Sequence, residues 1–215
     1  MDSVTYKPKQ KRSEQNLRNI IKAIMRLVED KYFEKITIME IVGEANLSAG
    51  AFYRRFKSKE DALPVIYNQF QDELRSWLEE KSDTWQSLAF DDLVADMTQS
   101  IFKFVLAKKG VFRTIYLNAR LNSELLQPEI LEQRVSDFNY LANFFQRFVK
   151  GECHETPQAI QFAIFTLVNN AIEKCVYPQL TPASGCPHDL HESIAATARM
   201  LQTYLRAELK ISQSN

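Results

Sequence analysis

Apolar residues recur at helical spacing through most of the chain, and the interruptions between those stretches mark its elements. Leu17, Ile20, Ile21, Ile24, Leu27 and Val28 follow the i, i+3, i+4, i+7 template and predict a long first helix, with Ser13 as its cap. Phe33 and Ile36 carry the apolar surface onward. Ile38, Ile41 and Val42 form a second short stripe, Ala45-Asn46-Leu47 interrupts it, and Phe52 and Phe56, four apart, resume it. A longer stripe of Leu63, Ile66, Tyr67, Phe70, Leu74, Trp77 and Leu78 predicts a helix over 59–81, ending before Ser82-Asp83-Thr84. Further helices are expected over 91–106, 111–121, 128–148, 156–177 and 188–210. In the third of these Ile130, Leu131, Val135, Phe138, Leu141, Ala142 and Phe145 point inward. Every stretch so placed is helical, so the expected fold class is all-α.

The second and third stripes carry their own start and stop signals. Thr37 followed by Glu40 is a capping box, which satisfies the free N–H groups of a helix start. Asn46 stands where the chain turns, and asparagine is the non-glycine residue best suited to a left-handed conformation. Ser48 caps the next helix. Opposite its Phe52/Phe56 face lie Gly50, Ala51 and Arg54, flanked by Tyr53 and Arg55. A helix entering a major groove about 12 Å wide needs a slim tip with donors behind it, and its first turn offers N–H groups to phosphate. This is the pattern of a DNA-binding helix-turn-helix. Ser58 and Asp61 form a second capping box, and Pro64, placed inside the helix expected from Lys59, is expected to bend it.

The same stretch resembles the signature of the TetR family of bacterial transcriptional regulators. Thr37, Ala45-Asn46-Leu47-Ser48, Gly50, Tyr53, Phe56, Lys59 and Glu60 stand at matching spacing, over roughly the first 65 residues. Asn46 replaces the usual Gly, Val42 the usual Ala and Arg55 the frequent His. The resemblance implies a three-helix reading head followed by a larger helical domain for effector binding and dimerisation. It also implies that the helix after the head sets the head's position.

Composition narrows the alternatives. Five Gly and 7 Pro in 215 residues, with 45% hydrophobic and 25% charged side chains, suit a helix-rich globular protein. No apolar run approaches the roughly 20 residues a membrane span needs, and the N-terminus lacks a signal-peptide pattern, so a cytoplasmic location is expected. Net charge is zero, yet residues 1–60 hold 13 Lys and Arg against 8 Asp and Glu, while the remainder holds 14 against 19. A basic end on an acidic body suits a polyanion bound at one end. Three scattered cysteines (Cys153, Cys175, Cys186) form no disulfide framework. Cys186, His188 and His191 match no strong zinc spacing, so no metal or other cofactor is expected. There is no phosphate loop, no Gly-x-Ser-x-Gly and no His-Glu-x-x-His, so an enzyme is not indicated.

The expected organisation is therefore a disordered basic arm over 1–12, a helix-turn-helix domain over 13–58 and an effector-binding and dimerisation domain over 59–215. Ala49, Gly50, Ala51 and Arg54 are candidates to approach base edges; Thr37, Ser48, Tyr53, Lys57 and Lys59 to hold phosphates; Arg55 suits either. Candidate effector-pocket residues are Phe104, Tyr116, Arg120, Phe138, Phe145, Phe165 and Asn169, a largely aromatic set fitting an apolar or aromatic small molecule. For any one of them an ordinary core position is the competing assignment. The last two helices suggest a four-helix homodimer interface through Ile164, Leu167, Val168, Ala171, Cys175, Ile194, Ala198, Leu201 and Leu205. Such a dimer reads a near-palindromic double-stranded operator. Two functions fit: a regulator, as a repressor released by its effector, or a chromosome-organising or scaffold protein with the same head and no effector.

Overall fold

The computed structural model describes residues 7–121, 128–149, 156–179, 187 and 189–211. Among them nine α-helices follow in order: α1 (Lys7–Asp30), α2 (Ile38–Glu44), α3 (Ala49–Tyr53), α4 (Leu63–Ser87), α5 (Phe90–Ala107), α6 (Lys109–Leu121), α7 (Pro128–Asn143), α8 (Thr156–Val176) and α9 (Leu190–Glu208). Short 3-10 turns lie at Phe33–Lys35, Glu60–Ala62 and Gln146–Phe148. No strand occurs among the described residues. The architecture is all-α.

Two prolines sit where a helix tolerates them. α1 begins at Lys7, so Pro8 occupies its first turn, where no backbone N–H is needed. Residues 7–12, expected in a disordered arm, are thus the start of α1; residues 1–6 lie outside the described set. Likewise α4 begins at Leu63 after a 3-10 turn, which puts Pro64 second in the helix. It removes no internal hydrogen bond there, and the bend expected at Pro64 loses its cause.

The chain divides into two compact units, one of Met1–Glu73 with Gly110–Leu125, the other of Leu74–Lys109 with Leu126–Asn215. In the first, Ile20, Ile24, Val28, Phe33, Ile36, Ile41, Phe52 and Ile66 are buried, each within 1% of complete enclosure. α6 belongs to this unit, and its contacts explain why. A Cβ built on Gly110 would stand 2.3 Å from the Val28 carbonyl oxygen, so only glycine lets the start of α6 come this close to the end of α1. Arg113 Nη2 donates to the carbonyls of Val28 (2.5 Å) and Lys31 (2.7 Å), groups that the end of α1 leaves without a helical partner. Its guanidinium lies 4.3 Å from the Tyr32 ring centroid. Asn118 Nδ2 donates to Glu34 Oε1 at 2.8 Å, and Phe112 meets Phe70 edge-on at 4.9 Å.

In the second unit α5 packs on α8 and α9, and α8 also on α7. Trp85 is fully buried and its indole N–H donates to Asp96 Oδ2 at 2.8 Å. That anchor carries α4 straight through Ser82-Asp83-Thr84, where the polar triplet suggested a break; tertiary packing outweighs local preference. Trp77 stacks on Phe104 at 4.5 Å, and Trp85 meets Phe144 edge-on at 5.4 Å. α7 stops at Asn143, short of the expected Phe148, and Leu131 and Val135 face outward.

The residues expected at a dimer interface are mostly interior. Ile164, Leu167, Ala171, Cys175, Ala198, Leu201 and Leu205 are buried within this one chain, and Val168 and Ile194 are half-buried. The most apolar stripes of α8 and α9 cover the chain's own core, where burial carries no cost of association. What they leave outside is a different set: Phe162 at 57% exposure, Phe165 at 51% and Met200 at 46%, with Tyr204 packed edge-on against Phe162.

Two outcomes follow. Gly110→Ala should lower the stability of the first unit by roughly 1–3 kcal/mol, because the added methyl meets backbone rather than a movable side chain; a shift of the denaturant midpoint at constant slope measures it. Burial pushes the Cys175 thiol up to about 11, so in a Cys153→Ser/Cys186→Ser protein a thiol reagent should leave the native chain unlabelled and label Cys175 fully once it is unfolded.

Candidate nucleic-acid interface

Three short caps build the reading head. Thr37 Oγ1 accepts from the Glu40 amide at 3.2 Å, and Glu40 Oε2 accepts from the Thr37 amide at 2.9 Å, the reciprocal capping box expected from the sequence. The Glu40 carboxyl also pairs with the Lys31 ammonium, which with the Thr37 hydrogen bonds holds it at about 2 instead of 4.5. α2 ends at Ala45, and Asn46 takes φ 54°, the left-handed turn that its side chain tolerates. Ser48 Oγ then accepts from the Ala51 amide at 3.3 Å to start α3. Phe52 and Phe56 are buried with ring centroids 5.5 Å apart, fixing α3 against the core.

After α3 the second box closes. Asp61 Oδ2 accepts from the amides of Ser58 (3.0 Å) and Lys57 (2.8 Å), which hold its carboxyl below the usual range, while Ser58 Oγ accepts from the Asp61 amide at 3.4 Å. The box opens a 3-10 turn rather than a long helix.

The outward side of α3 carries Gly50, Tyr53 (56% exposed), Arg54 and Arg55, with Lys57 beyond. Around Gly50 the space is open: an added Cβ would find only Arg54 Nη1 and Ser48 Oγ, both at 3.9 Å. Ser48 and Thr37 are exposed, and Ala49 is half-buried. Two expected DNA contacts are redirected. Ala51 is 8% exposed and packs inward, so it presents nothing to a base. Lys59 Nζ donates to the carbonyls of Phe33 (2.8 Å), Glu34 (2.8 Å) and Ile36 (3.0 Å), 5.1 Å from the Phe33 ring centroid. All three ammonium protons are engaged, which leaves none for a phosphate. This lysine pins the α1–α2 corner. Sequence reasoning missed that role because the acceptors are backbone carbonyls more than 20 residues away.

The residues expected around an effector are not one cluster. Tyr116 and Arg120 belong to the first unit, where Arg120 Nη1 donates to the Tyr116 carbonyl. Phe104, Phe138, Phe145, Phe165 and Asn169 belong to the second. There Phe145 is core, Phe104 stacks on Trp77, and Phe138 lies beside the Arg134 guanidinium. Phe165 faces outward, and Asn169 Nδ2 donates to its carbonyl. Cys186 and His188 lie outside the described residues. Among the described ones no three His, Cys, Asp or Glu side chains gather as metal ligands, and no helix is long and apolar enough to cross a membrane.

Capped α2, a left-handed turn and a capped α3 with a slim exposed tip define a helix-turn-helix DNA-binding protein with a second, helical unit. Residues 20–63 match the family model for bacterial regulatory proteins of the tetR family. The match covers the reading head alone, which is similar to that of TetR-family transcriptional regulators. No curated protein matches the chain. Solved structures of the same fold include the fatty acid degradation regulator FadR from Bacillus halodurans, at 18% identity and TM-score 0.58 over 88% of this chain and 97% of that one. FadR from Bacillus subtilis in complex with stearoyl-CoA gives 16% and 0.58 over 89% and 97%. A TetR transcriptional regulator from Rhodococcus sp. RHA1 gives 11% and 0.54 over 94% and 100%.

Lys59→Ala should destabilise the head by roughly 1.5–3 kcal/mol, since it strands three carbonyls, while the salt dependence of DNA binding stays unchanged below the melting range. A drop in the salt slope by about one per protomer would instead make Lys59 a phosphate contact. The depressed Glu40 pKa makes its contribution present above about 4.5 and lost as pH falls toward about 2. Acid unfolding of Glu40→Gln followed by circular dichroism should accordingly show a shallower loss of stability across that window.

Proposed function

We propose that this protein is a homodimeric, sequence-specific DNA-binding repressor that a small-molecule effector releases from its operator. One observation carries the DNA-binding part: the exposed tip of α3, with Gly50 open to its surroundings between capped ends. In this reading Ala49 and Gly50 bring backbone close to base edges in the major groove. Ser48, Thr37, Tyr53 and Lys57 flank them toward the phosphates.

A second copy completes the operator reader. Phe162, Phe165 and Met200 form an outward apolar face on α8 and α9, beside Tyr204. Large apolar side chains grouped this way on a surface mark an interface. Two-fold pairing through them would set two reading tips on successive turns of a near-palindrome.

The effector reading rests on the second unit. α7 carries a half-buried Asp137 whose carboxyl is pushed up by burial, with Gln133 Nε2 donating to it at 3.0 Å and Arg75 reaching Gln133. Phe138 and Tyr140 stand on the same helix. Aromatic side chains with a few oriented polar groups among them are the chemistry that an apolar or aromatic ligand uses. That the FadR of similar fold from Bacillus subtilis was solved with stearoyl-CoA is in keeping with such a ligand.

Selection of genomic fragments by the purified protein at fixed salt, followed by footprinting, tests the whole reading. A few near-palindromic sites beside promoters are expected; uniform enrichment of all fragments would replace the regulator by a non-specific DNA-organising protein. Gly50→Leu provides the residue-level check. Its stability should match the wild type, since nothing crowds that position, while operator affinity falls at least about tenfold because the side chain fills the groove side. Phe165→Glu with Met200→Glu should give a monomer by light scattering.

A further inference from the structure

A cleft of about 360 Å³ opens between α1 and α3, wholly within the first unit. Its floor is apolar, made of Leu17, Ile20 and Ala51, and Ser13 and Asn16 stand on the α1 side. Three guanidiniums surround it: Arg12 from the first turns of α1, and Arg54 and Arg55 from the turn that follows α3. All three side chains are exposed. None of them pairs with a carboxylate of the described residues, although Arg26, Lys31 and Arg206 do find one.

Three like charges around one concavity repel each other unless an anion sits among them. Arginine is the side chain that matches phosphate oxygens with paired, fixed-geometry donors. The volume is also at the lower end of what small-molecule sites enclose, more than a bare ion requires. The apolar floor offers a surface for the carbon skeleton that carries the phosphate.

We infer that this cleft is a phosphate-binding site, taking a phosphate ester through Arg12, Arg54 and Arg55. Two sources present that chemistry: the sugar–phosphate backbone of the operator, and a free phosphoanion that would compete with it. For the first source the inference rests on the DNA-binding reading above and changes the role of Arg54. It becomes a grip on the backbone instead of a reader of bases, and it works together with a residue 42 positions earlier in the chain. The second source would place a small-molecule control directly on the reading head.

Arg12 separates the possibilities, because it lies on α1, away from the tip that faces the bases. Arg12→Ala is compared with wild type on the operator duplex recovered by selection, on a random duplex, and on sodium pyrophosphate by titration calorimetry. Circular dichroism confirms that the variant is folded. Binding to both duplexes should weaken by the same factor, and the slope of log affinity against log salt should fall by about two for a dimer, one contact per protomer. Arg12→Lys should restore most of that slope. Loss of the slope without any pyrophosphate binding by the wild type assigns the cleft to the DNA backbone. Pyrophosphate binding that Arg12→Ala abolishes, and that displaces DNA, assigns it to a free phosphoanion as well.

An Arg12→Ala protein with wild-type affinity, wild-type salt slope and wild-type behaviour toward pyrophosphate overturns the inference. So does a loss confined to the operator duplex, which would mean base reading. The regulator reading fails separately, when the wild type itself shows no preferred sites.

Discussion

The corner between α1 and α2 is where the head is held. There the chain leaves one helix, makes a single 3-10 turn and enters another, so its carbonyls from Val28 to Ile36 run short of helical partners. Two cations from distant parts of the sequence supply them. Lys59 covers Phe33, Glu34 and Ile36; Arg113 covers Val28 and Lys31. A charged donor on several buried or half-buried carbonyls contributes more than a neutral one, and its removal leaves each acceptor stranded. The direction in which α2 leaves, and hence the placement of α3, depends on this arrangement.

Glu34 ties the two cations into one network. Its backbone carbonyl receives Lys59 while its carboxylate receives Asn118 of α6. Lys59 itself follows the box that Ser58 and Asp61 close after α3. Hydrogen bonds from α6 to Glu34 and from Glu34 to Lys59, followed by the peptide link to Ser58, therefore join α6 to the exit of the reading helix inside one compact unit. The exposed tip of α3 contributes little to this framework, which leaves Gly50, Tyr53 and the neighbouring arginines available for a ligand.

Much of the head was legible in the sequence because its determinants are local. Thr37 with Glu40, Asn46, Ser48, and Ser58 with Asp61 act over three or four residues, and the structure places each cap where the spacing put it. The apolar stripes of α1, α5, α8 and α9 were equally readable, since a 3.6-residue period survives any tertiary arrangement. What escaped depends on distance. Periodicity tells that a stripe is buried but not against what, so the stripes of α8 and α9 looked like a surface for a second copy when they cover α5. The polar triplet at 82–84 suggests an end to α4, yet the burial of Trp85, the very next residue, carries the helix through. By sequence position alone Lys59 and Ala51 belong to a plausible DNA-facing set, yet distant backbone carbonyls surround the one and the other packs inward. Pro64 lies inside a helix counted from Lys59 but in the first turn of one that starts four residues later, at Leu63.

The membership of α6 in the head has a bearing on how such proteins are cut and recombined. A segment ending after residue 73 would carry every element of the helix-turn-helix, yet it would lack Gly110, Phe112, Arg113 and Asn118, which close the far side of α1. The reading head is thus discontinuous in sequence, with thirty-six residues of another unit threaded through it. It cannot be transplanted as a simple N-terminal cassette. A recombination event that exchanges the second unit must keep two separate breakpoints in register, or supply an α6 whose glycine and arginine fit the same corner.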